Sequence, residues 1–123
     1  MSDSPHLLVL EDQEDARQLL TWTLERAGCR VTAVSNATDA VTILKQGRLD
    51  GVVLDWMLTT GTTGADVALV AFSEQPPVPA CIVSAVADSD LLSEELHGLP
   101  IPVLAKPVTA EETLDALGLT APD

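Results

Sequence analysis

Four short apolar runs each lead straight into residues that can do chemistry. Glu11 and Asp12 follow Leu7–Leu10, Asp55 follows Val52–Leu54, Ser84 follows Ala80–Val83, and Lys106 follows Val103–Ala105. Brought to one place, three carboxylates repel: two unit charges about 4 Å apart cost about 4 kcal/mol at an effective dielectric near 20. One lysine does not neutralise three acids. An oxygen-only donor set with residual negative charge suits a hard divalent cation, and Mg²⁺ takes few protein ligands while keeping several waters. With the metal present, Asp55 remains a carboxylate able to act as a nucleophile. Lys106 and the Ser84 hydroxyl would hold the equatorial oxygens of a phosphoryl group in transfer. The set reads as a phosphoryl acceptor.

These residues converge only if the fold brings the ends of their runs together. The runs Leu7–Leu10, Val31–Val34, Val52–Leu54, Ala80–Val83 and Val103–Ala105 are valine-rich, and several are apolar throughout, as in strands covered on both faces. Helical spacing fills the gaps. Ala16, Leu19, Leu20, Leu24 and Ala27 form one stripe before Gly28. Ala37, Ala40, Val41 and Leu44 form a second, with Ser35 or Asn36 as N-cap and Gly47 as terminator. Ala65, Ala68, Leu69 and Phe72 predict a third helix, and Ser89–Leu96 predicts a short fourth that stops at Gly98. Thr109-Ala110-Glu111-Glu112 is a capping-box pattern opening a fifth, with Leu114 and Leu117 on one side before Gly118.

Five strands alternating with five helices predict a doubly wound α/β domain, a parallel sheet with helices on both faces. Pro100 and Pro102 place the last strand at an edge. In such a sheet, ligands bind beyond the carboxyl ends of the strands, where the strand order reverses. With the order 2-1-3-4-5, Glu11, Asp12 and Asp55 converge at that point, and Ser84 and Lys106 approach from the other side.

Composition narrows the partners. Nineteen acids against six bases give a net charge of −13 over 123 residues, which opposes nucleic acid, an anionic membrane and an unaided anionic substrate. No run reaches the roughly 20 apolar residues that span a bilayer. The start, Met1-Ser2-Asp3-Ser4-Pro5-His6, lacks the basic region of a secretory signal. Cys29 and Cys81 are too few for a disulfide framework and lack zinc spacing, so both are expected as small apolar residues of a cytoplasmic protein. Gly61 and Gly64 do not form a nucleotide fingerprint. Glu14 and Asp15 favour the start of the first helix rather than a metal. His6 and His97 are expected to face solvent or lie in loops, and Trp22 to sit on the first helix surface.

Taken in chain order, Leu7-Leu8-Val9-Leu10-Glu11-Asp12, Val52-Val53-Leu54-Asp55-Trp56-Met57-Leu58, Ile82-Val83-Ser84-Ala85 and Leu104-Ala105-Lys106-Pro107 resemble the receiver domain of two-component response regulators, over about residues 6–118. Residues 1–5 and 119–123 would be tails. The resemblance implies a flavodoxin-like fold and a signalling switch rather than an enzyme, one that catalyses only its own phosphorylation and dephosphorylation. It implies that Asp55 receives a phosphoryl group from a sensor histidine kinase or a histidine phosphotransfer protein. Asp12 and Asp55 would bind Mg²⁺ directly, Glu11 through water, and Met57 through its backbone carbonyl. Ser84 would move toward the phosphoryl group and Lys106 would pair with it. The segment 55–64 looks like the receiver variant with a longer, glycine-containing loop after the acceptor.

Some features depart from the family: the fourth helix is short, and the approach to strand five, His97-Gly98-Leu99-Pro100-Ile101-Pro102, is proline-rich, in the region that commonly forms the family's output face. Three residues before the lysine, receivers often carry an aromatic switch residue, and here stands Val103. An aromatic flip coupled to Ser84 is therefore unavailable there. The short tail after Gly118 suits either a stand-alone switch acting through protein contacts or a domain excised from a longer chain. The competing readings are a non-phosphorylated scaffold and a metal-dependent phosphatase. The phosphatase reading is the weaker, because Asp55-Trp56-Met57 lacks the second acid of the Asp-x-Asp motif of haloacid dehalogenase-type enzymes and follows the third strand.

Overall fold

The structure is a computed structural model that describes residues 4–56, 64–84 and 101–119. Five strands are β1 (His6–Leu10), β2 (Arg30–Val34), β3 (Gly51–Asp55), β4 (Ala80–Ser84) and β5 (Val103–Ala105). Among the described residues four helices connect them: α1 (Glu14–Arg26), α2 (Ala37–Gln46), α3 (Gly64–Ser73) and α4 (Ala110–Ala116). The helix expected over 89–96 lies outside the described residues, as do Met57 and His97. All neighbouring strands are parallel, in the order β2-β1-β3-β4-β5. This is the flavodoxin-like doubly wound sheet, with β5 at the edge its flanking prolines suggested.

Alternation along each strand splits the interior into two cores. Leu8, Leu10, Val52, Leu54 and Ile82 point to one face, where Ala40 and Leu44 of α2 and Ala65, Val67, Ala68 and Ala71 of α3 cover them. Leu7, Val9, Val53, Cys81 and Val83 point to the other, beneath Leu24 of α1 and Leu114 of α4. The central strands read apolar throughout because both of their faces are buried. Val103, in the place of the family aromatic, is half-buried and packs against the α2–α3 core.

Local chemistry sets where the helices begin and end. Asn36 is the N-cap of α2, its Oδ1 accepting from the Asp39 backbone N–H at 2.8 Å. Gly47 ends that helix at φ 80°, a left-handed conformation that side chains resist. The capping box of α4 is complete: Glu112 N–H donates to Thr109 Oγ1 at 3.0 Å, and Thr109 N–H donates to Glu112 Oε1 at 3.1 Å.

Cys29 and Cys81 are free and buried, and burial raises both thiols, that of Cys81 to about 12. They are packing residues held in the unreactive thiol form. Trp22 is exposed on α1, with the Arg26 guanidinium 4.7 Å from its ring centre. His6 departs from the loop or solvent-facing position expected of it. It opens β1, half-buried, because β2 and the α2–β3 connection flank that end of the strand. Its ring nitrogens meet Thr32 Oγ1 at 2.8 Å and Arg48 O at 3.2 Å.

Candidate functional site

Strand order and register carry the polar residues to one edge. Leu10 pairs with Leu54, Asp55 with Val83, and Ser84 with Ala105, so β1, β3, β4 and β5 end at nearly one level. The backbone is closed just beyond: Trp56 N–H donates to Val83 O at 3.0 Å and Lys106 N–H to Ser84 O at 2.9 Å. Glu11, Asp55 and Ser84 are buried there, Asp12 and Lys106 half-buried. Glu14 and Asp15 lie exposed in the first turn of α1, where their charge favours the helix dipole.

Lys106 is the hub of the site. Its Nζ stands 2.8 Å from Glu11 Oε1 and 3.0 Å from Asp55 Oδ1. Burial pulls the ammonium pKa down, but hydrogen bonds and charge from Glu11 and Asp55 outweigh it and hold Lys106 above its usual value. Asp55 moves to about 6: burial raises it first, the adjoining Glu11 carboxyl raises it further, and Lys106 only partly opposes them. The lysine satisfies half of the Glu11 carboxylate, while Oε2 is buried without a hydrogen-bond partner. A bare carboxylate oxygen in a buried site is expensive unless a cation meets it.

Glu11, Asp12 and Asp55 each place one oxygen within 4.8 Å of the others. The unpartnered Glu11 oxygen and the all-oxygen donor set fit a hard divalent cation such as Mg²⁺. The Met57 carbonyl expected to complete the set lies outside the described residues.

Gly64 matters for a reason the sequence reading did not reach. A Cβ at this position would collide with the Asp55 carbonyl oxygen, and Gly64 N–H donates to Trp56 O at 3.0 Å. Gly64 thus lies against the acceptor's own backbone, a contact no nucleotide motif would reveal. Trp56, half-buried, packs against the α2–α3 core. Beside the acids a groove of about 320 Å³ opens between α1 and the β5–α4 connection. Leu19, Leu20 and Val108 form its apolar wall, and Glu11 and Lys106 its polar side.

Comparison with known proteins points the same way. The family model for the response regulator receiver domain matches residues 7–118. The transcription factor SKN7 of Saccharomyces cerevisiae is 29% identical over 109 residues, covering 87% of this chain and 17% of that protein. The chain therefore spans less than a fifth of this relative's length. Among solved structures, a response regulator receiver protein from Sinorhizobium medicae superposes with a TM-score of 0.80 at 31% identity, covering 94% of this chain and 93% of that one. A response regulator from Burkholderia pseudomallei, solved with a phosphorylated aspartic acid, calcium ion and citrate, shares the fold. It has a TM-score of 0.79 and 23% identity, covering 93% of this chain and 66% of that one.

Proposed function

The chain belongs to the response regulator receiver domain family, and on that ground we propose that Asp55 accepts a phosphoryl group from a histidine kinase or a histidine phosphotransfer protein. A carboxylate oxygen of Asp55 attacks phosphorus, the P–N bond to the donor imidazole breaks, and the imidazole leaves with its electron pair. Asp12 and Asp55 would hold Mg²⁺ directly, Glu11 through water, and Met57 through its carbonyl. When bound, the ion neutralises charge on the phosphoryl oxygens and the carboxylates. Lys106 stands ready to exchange its Asp55 contact for a phosphoryl oxygen, and the Ser84 hydroxyl at the end of β4 offers a second donor. The groove beside the acids gives the donor imidazole an approach between α1 and the β5–α4 connection.

The observation that carries this reading is the Lys106 bridge to Glu11 and Asp55 beside an unpartnered Glu11 oxygen. Such a cluster is poorly balanced as a structural element and well suited to binding a cation and then a phosphoryl group. The proposed output is a change in affinity for a partner protein in the cytoplasm, since the charge of −13 opposes direct contact with nucleic acid or an anionic membrane. Because Val103 replaces the aromatic, coupling from Ser84 would travel through the backbone of β4 and β5 rather than through a ring flip.

Intact mass after incubation with acetyl phosphate and Mg²⁺ tests the reading. One added phosphoryl group is expected, absent from Asp55→Asn and absent when the metal is chelated. A folded chain that gains no group from acetyl phosphate or from any phosphohistidine donor would favour the scaffold reading.

A further inference from the structure

The turn that carries the acid pair lacks the usual side-chain cap. Gln13 is the N-cap of α1, and its side chain makes no capping hydrogen bond. Arg17, at the end of the first turn of α1, meets this turn with its side chain. Its backbone N–H makes the ordinary helical bond to Gln13 O at 2.9 Å, and its guanidinium Nη1 donates to Glu11 O at 3.1 Å. From the opposite side, Glu11 N–H donates to Val34 O at 3.1 Å, at the end of β2. The residue is therefore gripped at both backbone groups, its N–H by the edge strand and its carbonyl by α1.

We propose that Arg17 is a positioning residue for the metal site, its guanidinium fixing the peptide between Glu11 and Asp12 so that both carboxylates face Asp55. This rests on the phosphoryl-acceptor reading above. The peptide plane sets the direction in which two successive side chains leave the backbone. If it rotates, the Glu11 and Asp12 oxygens no longer stay within 4.8 Å of that of Asp55. Arginine suits the task because its planar fork is pre-organised and always charged. The blander role, a staple of α1 to the sheet, would affect stability and leave the intrinsic metal affinity alone.

The two roles separate in a Mg²⁺ titration. The full chain has two tryptophans, so a Trp22→Phe background leaves Trp56, next to the acceptor, as the reporter. Arg17→Met and Arg17→Ala are expected to weaken Mg²⁺ binding about tenfold, as for other groups that orient metal ligands. Arg17→Lys should recover most of the loss, since an ammonium can still donate to the Glu11 carbonyl. Folded Met and Ala variants with the affinity of the parent would overturn the proposal while leaving the metal site intact. Loss of the fold in both variants would assign Arg17 to stability and overturn it as well. A parent chain whose Trp56 signal and melting temperature ignore Mg²⁺ would instead bring down the metal reading itself, and this proposal with it.

Discussion

Asp55 is an acid whose protein environment favours its neutral form. Its ordinary value of 3.8 rises to about 6 in the folded chain, through burial and then the Glu11 carboxyl, despite a lysine 3.0 Å away. Between those values the folded state binds a proton that the unfolded state has released, so stability from this group falls as pH rises through the window. Lys106 shifts in the same direction, which for an ammonium favours the charged form. Its pKa is raised, so its contribution is intact at neutral pH and is lost only in the alkaline range. The expected outcome is a metal-free melting temperature that declines from about pH 4 to about pH 6 in the wild type, measured relative to Asp55→Asn. Carboxylates remote from the site cancel in that difference. A wild-type curve rising relative to Asp55→Asn would contradict the assigned cause. Mg²⁺ should remove most of the penalty at neutral pH, because it supplies the missing counter-charge.

The seven-residue α4 illustrates how an element depends on its first hydrogen bonds. A helix this short is marginal on its own and is held by its cap and its packing. Thr109 and Glu112 satisfy each other's backbone N–H groups, and Leu114 and Leu117 bury the inner side. Opposite lies Gly51, where an added Cβ would sit 2.8 Å from Leu117 Cδ1, so β3 makes room for the helix. Thr109→Ala should cost about 1 kcal/mol. In thermal unfolding this corresponds to a drop of about 4 °C for a domain of this size. A change below about 1 °C would mean that packing of Leu114 and Leu117 alone holds α4. The connection from Lys106 to Thr109 is only two residues long. The cap therefore also anchors the strand end that presents the lysine.

At the scale of the molecule, the same acidic surplus that equips the site works against the fold. A charge of −13 repels itself across the surface, and such repulsion weakens with ionic strength as the Debye length shrinks from about 30 Å at 0.01 M to about 8 Å at 0.15 M. The melting temperature should therefore rise by a few degrees over that range in NaCl. Asp55→Asn should show the same rise, because the effect belongs to the whole surface. A flat or falling profile would mean that favourable pairs such as Lys106 with Glu11 and Asp55 dominate the electrostatics. Two cores, one on each face of the sheet, supply the apolar burial that offsets the repulsion.

Much of this arrangement is written locally. Apolar runs such as Val52–Leu54 report a strand covered on both faces, and Thr109 with Glu112 reports a helix start, because burial periodicity and capping act over a few residues. The order of polar residues behind the strands likewise pointed to Glu11, Asp12, Asp55, Ser84 and Lys106, of which Glu11, Asp12, Asp55 and Lys106 meet in the structure. Whether Ser35 or Asn36 capped α2 was settled only by the bond to Asp39. What the chain could not state locally depends on residues far apart. Lys106 bridges Glu11 and Asp55 across 95 and 51 positions, and His6 reaches Thr32 and Arg48. The raised acid at Asp55, the collision that demands glycine at position 64 and the Arg17 grip on Glu11 arise in the same way. Each follows from strand order and register, which set distances among segments that no short-range pattern connects.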